Sequence, residues 1–170
     1  VSFSTPTHKQ VVDFMLESNK IEGIEGTTGD EVAAFQHFIG LSSLYLGDVL
    51  NLLNRVAPGH LLRTGVGQDV YVGNYKAPPG GPNIMLALSE IMGTITLWKQ
   101  GLPDANPFNV HRDFEKLHPF TDGNGRVGRV IWAWQMLHAP VGTREIRIGL
   151  ALGFLHEYYY QSLQDRPGTV

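Results

Sequence analysis

A chain of 170 residues, 42% of them hydrophobic, has the size of one domain and enough apolar side chains for a buried core. Its formal net charge of −3 gives no overall basic surface, which argues against non-specific nucleic-acid binding and requires any phosphate site to be local. Without cysteine there is no disulfide or thiolate chemistry, and no apolar run is long enough for a membrane span, so a cytoplasmic setting is the expectation.

The opening residues, Val1-Ser-Phe-Ser-Thr-Pro, lack the pattern of a signal peptide, and a start at valine points to a trimmed or renumbered chain. Thr7 is placed to cap a short helix in which Val11, Val12, Met15 and Leu16 recur at helical spacing until Gly23 and Gly26. Asp30 is read as the cap of a longer helix. Its apolar face runs through Ala34, Phe35, Phe38, Ile39, Leu44, Leu46, Val49 and Leu52, with a bend near Gly40. Between Arg63 and Pro79 the texture changes: Val70-Tyr71-Val72 reads as a strand, Gly73-Asn74 as a turn, and Pro78-Pro79 as the end of a β-hairpin. Helical spacing returns from Asn83, read as a cap, to Trp98, and again from Asn109 to Leu117. Pro119 disfavours α geometry at its predecessor, so that last helix should end near His118.

Asp122-Gly123-Asn124-Gly125 joins two strong turn dipeptides, and Val127, Val130, Ile131, Trp134 and Leu137 then restart a helix. A glycine loop feeding a helix start aims backbone N–H groups and the positive end of a helix dipole at one point, which suits a phosphate. Arg126 and Arg129, at i and i+3, share a face from which both could reach outward to a polyphosphate. Cations there oppose the dipole, so an anionic partner, ligand or carboxylate, is required. On the loop's other flank, His118 is suited to take a proton from an attacking hydroxyl, and Asp122 to hold Mg²⁺ beside phosphates.

Three other motif readings fail. Gly123-x-Gly125-x-x-Gly128 fits a dinucleotide fingerprint but follows helical residues in place of a strand. His111-Arg112-Asp113 resembles a kinase triplet, yet the asparagine it needs falls on His118. A calcium loop from Asp122 would need its closing glutamate at Ala133. His111, His138 and His156 are read as structural histidines, and Tyr158 to Tyr160 as core or rim.

The segment His118-Pro-Phe-Thr-Asp-Gly-Asn-Gly-Arg-Val-Gly-Arg129 resembles the Fic signature, H-P-F-x-[DE]-G-N-G-R-x-x-R, at every specified position. The resemblance implies a mainly α, Fic-type helical bundle with one β-hairpin flap, spanning residues 1–170 as a single domain. It also implies protein adenylyltransferase activity: AMP moves from ATP, with Mg²⁺, to a Ser, Thr or Tyr hydroxyl of a target protein. His118 would be the general base, Asp122 the metal ligand, and Gly123, Asn124 and Gly125 the anion nest. Arg126 and Arg129 would grip the outer phosphates, and Phe120 would anchor the loop.

Two further stretches extend the likeness. Residues 63–80 resemble the family's flap, with Val70, Tyr71 and Val72 as the strand that docks a target by backbone pairing. Ser18-Asn-Lys-Ile-Glu22-Gly23 is similar to the inhibitory motif [ST]-x-x-x-E-[GN], which makes residues 8–23 an inhibitory helix whose Glu22 pairs with Arg129. Near the end the chain departs from the family, reading Leu155-His156 where Asn-Arg is frequent, and this puts the preference for adenine in doubt. Removal of AMP, transfer of another nucleotide or a phosphate group, and a non-enzymatic nucleotide-binding module stay open as alternatives. The target and any homodimer are not encoded in these residues, and neither membrane nor nucleic acid is expected as a partner.

Overall fold

A computed structural model describes residues 6–102 and 105–138. Six helices and one hairpin follow one another as α1 (His8–Ile21), α2 (Gly29–Ile39), α3 (Leu46–Val56), β1 (Tyr71–Val72), β2 (Tyr75–Lys76), α4 (Pro82–Lys99), α5 (Pro107–Leu117) and α6 (Asn124–Leu137). This is the mainly helical bundle with a small antiparallel hairpin that the sequence implies.

The helix starts have local causes. Thr7 and Gln10 form a reciprocal capping box at α1, and Thr28 and Glu31 form another at α2. The cap of α2 is therefore Thr28, and Asp30 sits in the first turn, where its charge favours the dipole. Asn106 caps α5 by accepting from Asn109 N at 3.0 Å, with Pro107 at the first helical position, so α5 starts two residues before the predicted Asn109. Gly81 plays the cap of α4 with Pro82 behind it, so Asn83 lies inside the helix.

The long second helix of the sequence reading is in fact two. Gly40 ends α2, and α3 restarts after Tyr45, whose N–H donates to Asp48 Oδ2 at 2.9 Å. The break is held from outside. The Trp134 indole donates to Leu41 O at 2.8 Å and His138 Nε2 lies 2.9 Å from Ile39 O, so α6 and its cap residue His138 take carbonyls that a continuous helix would have used.

Helix α6 is the centre of the bundle: it packs on α1, α2, α3 and α5, and twelve of its 14 residues are buried. A helix surrounded this way buries residues on every side, and its buried polar ones, Asn124, Arg129 and Gln135, must find partners within the fold. Stacked rings of Phe14 and Phe35, centroids 4.7 Å apart, join α1 to α2. One apolar cluster runs from Val11 in α1 to Met136 in α6.

In the hairpin, Tyr71 pairs with Lys76 and Val72 with Tyr75 around the Gly73-Asn74 turn. Val70 lies outside β1, although its carbonyl still accepts from Ala77 N at 3.2 Å. The Leu155-His156 departure and Tyr158 to Tyr160 fall outside the described residues.

Candidate active site

The signature segment occupies the turn from α5 into α6. Helix α5 ends at His118, in left-handed backbone (φ 49°), with its N–H bonded to Phe114 O at 2.9 Å. Pro119 follows, as the sequence requires. Phe120 is fully buried against the edge of Phe114, and residues 61–63 run antiparallel to 119–121 through Arg63 N to Pro119 O and Thr121 N to Leu61 O, both 2.9 Å. The Asn124 side chain closes the loop, accepting from Phe120 N at 2.8 Å and donating to Phe120 O at 2.9 Å. Asn124 thus holds the loop's shape, and its side chain is buried.

Gly123 caps α6 at φ 82°, and a Cβ there would lie 2.8 Å from Ala57 Cβ, so both backbone and space demand glycine. Helical bonding in α6 begins with Val127 N to Gly123 O, which leaves the N–H groups of Asn124, Gly125 and Arg126 ahead of it at the positive end of the dipole.

His118 is half-buried, and its Nδ1 lies 3.3 Å from Glu115 O. A proton on Nδ1 shared with that carbonyl leaves the lone pair on Nε2. Burial pushes the imidazole below its ordinary pKa of 6.5, opposed by the Glu115 carbonyl, aided by the Arg63 guanidinium and opposed again by Asp122. Asp122 is largely exposed, 3.6 Å from Arg126 Nη2 and 3.7 Å from His60 Nε2.

The two arginines turn toward α1 and not outward. Arg129, with no exposed surface, donates from Nε to Ser18 Oγ at 2.7 Å and from Nη2 to Ser18 O at 3.0 Å. Arg126 donates from Nη1 to Val56 O at 2.8 Å. Between them stands the Glu22 carboxylate, its Oε2 3.1 Å from Arg126 Nε and 3.3 Å from Arg129 Nη2. The anion that cations at a helix start call for is therefore supplied by the chain itself.

Glu22 is aimed by the way α1 ends. Gly23, at φ 72°, donates to Lys20 O, and Ile24 donates to Asn19 O, the paired bonds of a Schellman ending with Glu22 as the cap residue. Gly125 makes room for the approach: a Cβ there would lie 2.6 Å from Glu22 Oε1 and 2.7 Å from Arg129 Nη1.

Seven of the predicted site residues, Ser18, Glu22, Asp122, Gly125, Arg126, Arg129 and Gly123, thus meet where α1, α3 and α6 converge. The flap stands apart from this cluster. Tyr71 is 63% exposed under the Lys76 ammonium, Val70 and Val72 are half-buried, and Tyr75 ties the hairpin to α5 through Lys116 O at 2.7 Å. Sequence reasoning missed two neighbours. His60 shares 3.0 Å contact with Thr121 Oγ1 and lies in no patterned segment, and Arg63, fully buried below His118, reads in the sequence only as the start of the hairpin segment.

The chain belongs to the Fic/DOC family, whose model matches residues 45–136, more than half of its length. A search among curated proteins found no match. Membership carries nucleotidyltransferase-type chemistry in general, with ATP and Mg²⁺ as the family's usual reactants and a protein as substrate. The matched range holds α3 to α6 and the hairpin, and α1 with Ser18 and Glu22 lies ahead of it. No helix among the described residues is long and apolar enough to cross a membrane.

Proposed function

We propose that this domain transfers AMP from ATP to a hydroxyl of a target protein and that Glu22 restrains the reaction. The observation that carries the reading is the Glu22 carboxylate between Arg126 and Arg129 at the start of α6. A side-chain anion held there marks where phosphate oxygens would bind, because both need the same cations and the same dipole.

In the reaction the target oxygen forms a bond to the α-phosphorus, the bond from that phosphorus to the α,β-bridging oxygen breaks, and pyrophosphate leaves with the electron pair. His118 receives the hydroxyl proton at Nε2, the nitrogen left basic when Nδ1 shares its proton with Glu115 O. The α6 N–H groups, Arg126 and Arg129 stabilise charge on the phosphates, so the protein contributes position and electrostatics. Mg²⁺ fits Asp122, an exposed carboxylate at the loop, since this ion keeps several waters and takes one or two carboxylates beside phosphates. Bound there, it would neutralise phosphate charge.

Room for the rest of a nucleotide supports the reading. A groove of about 450 Å³, bordered by Leu53, His60, Leu62 and Met85, adjoins the loop through Leu53, which lines Gly123, and His60, which faces Asp122. In the same reading, residues 63–80 serve as the flap that aligns a target strand, and α1 serves as the inhibitory helix.

Calorimetry with Mg·ATP tests the shared anion site. Glu22→Gly should bind more tightly than wild type, and adding Arg129→Ala should remove the gain. Equal affinity in wild type and Glu22→Gly would mean that carboxylate and phosphate do not compete.

A further inference from the structure

Arg63 lies outside the signature, yet its guanidinium is fully buried and donates four hydrogen bonds, all to backbone carbonyls. Nε reaches His118 O at 2.7 Å and Nη2 reaches Leu117 O at 2.9 Å. Nη1 reaches Gln68 O and Pro78 O, each at 2.9 Å. Burial pulls its pKa down, and the Asp69 carboxylate opposes that.

The first two acceptors have a geometric meaning. Leu117 O belongs to the peptide plane before His118, and His118 O to the plane after it. One rigid planar group thus grips both planes that flank the His118 Cα, which fixes φ and ψ there and so the direction of the imidazole. The grip is needed, because His118 is the one non-glycine residue with positive φ among the described residues, a conformation that costs about 1–2 kcal/mol. The other two acceptors are the two ends of the segment that carries the hairpin. These ends are pinched so closely that a Cβ on Gly80 would lie 2.6 Å from both Gln68 O and Gly65 O.

We propose that Arg63 is a positioning residue, which sets the His118 imidazole by clamping the peptide planes around it and holds the base of the hairpin to the same point. The proposal rests on the transfer reading for its kinetic consequence. Lysine cannot substitute, since its three donors radiate from one atom and do not span four carbonyls, whereas the guanidinium fork does.

The test uses Arg63→Lys in the Glu22→Gly protein, with Tyr75→Phe as a control that cuts the other hairpin tie, to Lys116 O. For Arg63→Lys, the turnover of Mg·ATP-dependent labelling should fall on the order of 100-fold, the scale of a small misplacement. The Kd for Mg·ATP should change less than about twofold, since the phosphate groups are held elsewhere. Ring NMR signals of His118 should move while those of His8 and His37 stay. Tyr75→Phe should leave the His118 signals near the parent.

Unmoved His118 signals in Arg63→Lys, or an equal displacement of them in Tyr75→Phe, would overturn the proposal. Should the Glu22→Gly parent not label at all, the transfer reading fails, and the ring signals still decide the role of Arg63. Should Arg63→Lys not fold, the wild-type Arg63 Nε–H decides it: slow solvent exchange supports the clamp and fast exchange overturns it.

Discussion

The carboxylate of Glu22 stands 3.3 Å from Nη2 of Arg129, and each partner corrects a misfit in the other. Glu22 caps the C-terminal end of α1, where a negative charge opposes the helix dipole, and Arg129 lies near the start of α6, where a positive charge does. Bringing the two ends together cancels both. The contact is therefore stable in place, yet an anion with more charge than a carboxylate could displace it.

Replacing Glu22 by glycine removes the internal competitor, and labelling with Mg·ATP should rise, on the order of tenfold for each ~1.4 kcal/mol of competition removed. Ser18→Ala, which deletes the 2.7 Å bond to Arg129 Nε, should give a smaller rise because Glu22 remains. Initial rates of adduct formation measure both. Unequal order, with Ser18→Ala the faster, would contradict the assignment of Glu22 as the main restraint.

Acidity acts on His118 in one direction. A base must be neutral, and burial keeps this imidazole neutral below its ordinary pKa of 6.5, so the acid limb of the rate profile should fall below 6.5. The same shift links to stability: protonation is harder in the folded chain, so the contribution is present above 6.5 and is lost as pH falls through 6.5 toward the lower folded value. The wild-type thermal midpoint should decline over that window more steeply than that of His118→Asn. Parallel declines in the two proteins would remove the linkage.

Gly123→Ala should destabilise the fold. Its Cβ would meet Ala57 Cβ at 2.8 Å, an overpacking of about 1–3 kcal/mol, and φ of 82° adds strain for any L side chain. At roughly 2–4 °C per kcal/mol for a chain of this size, a lowered melting temperature is readily seen by circular dichroism. An unchanged midpoint would mean that the loop yields without cost.

Asn124→Ala would leave Phe120 N–H and C=O buried without the partners they have now, at about 1–3 kcal/mol for each group. The expected result is a lower melting temperature together with weaker Mg·ATP binding, because the α6 start loses its brace. Full affinity in a destabilised variant would separate the brace from the anion site.

Most of the helices and the candidate site could be read from the sequence, for different reasons. Pro119 fixed the end of α5, and Gly73-Asn74 fixed the hairpin turn, because both act through local backbone geometry. The signature put His118, Asp122, Arg126 and Arg129 together before any fold was known. What escaped was tertiary. Thr28 outcompeted Asp30 as a cap because Glu31 could answer it, and the break at Gly40 is held by Trp134 and His138, which take the Leu41 and Ile39 carbonyls. The inward turn of Arg129 depends on α1 arriving with Ser18 and Glu22, and the role of Arg63 depends on the Leu117 and His118 carbonyls, more than fifty residues away in sequence.

Intact-mass spectrometry of wild type, Glu22→Gly and Glu22→Gly/His118→Ala after incubation with Mg·ATP tests the central claim most directly. An added AMP on Glu22→Gly, little on wild type and none on the double variant is the predicted result. Labelling of wild type equal to that of Glu22→Gly, or labelling that survives the loss of His118, would contradict it.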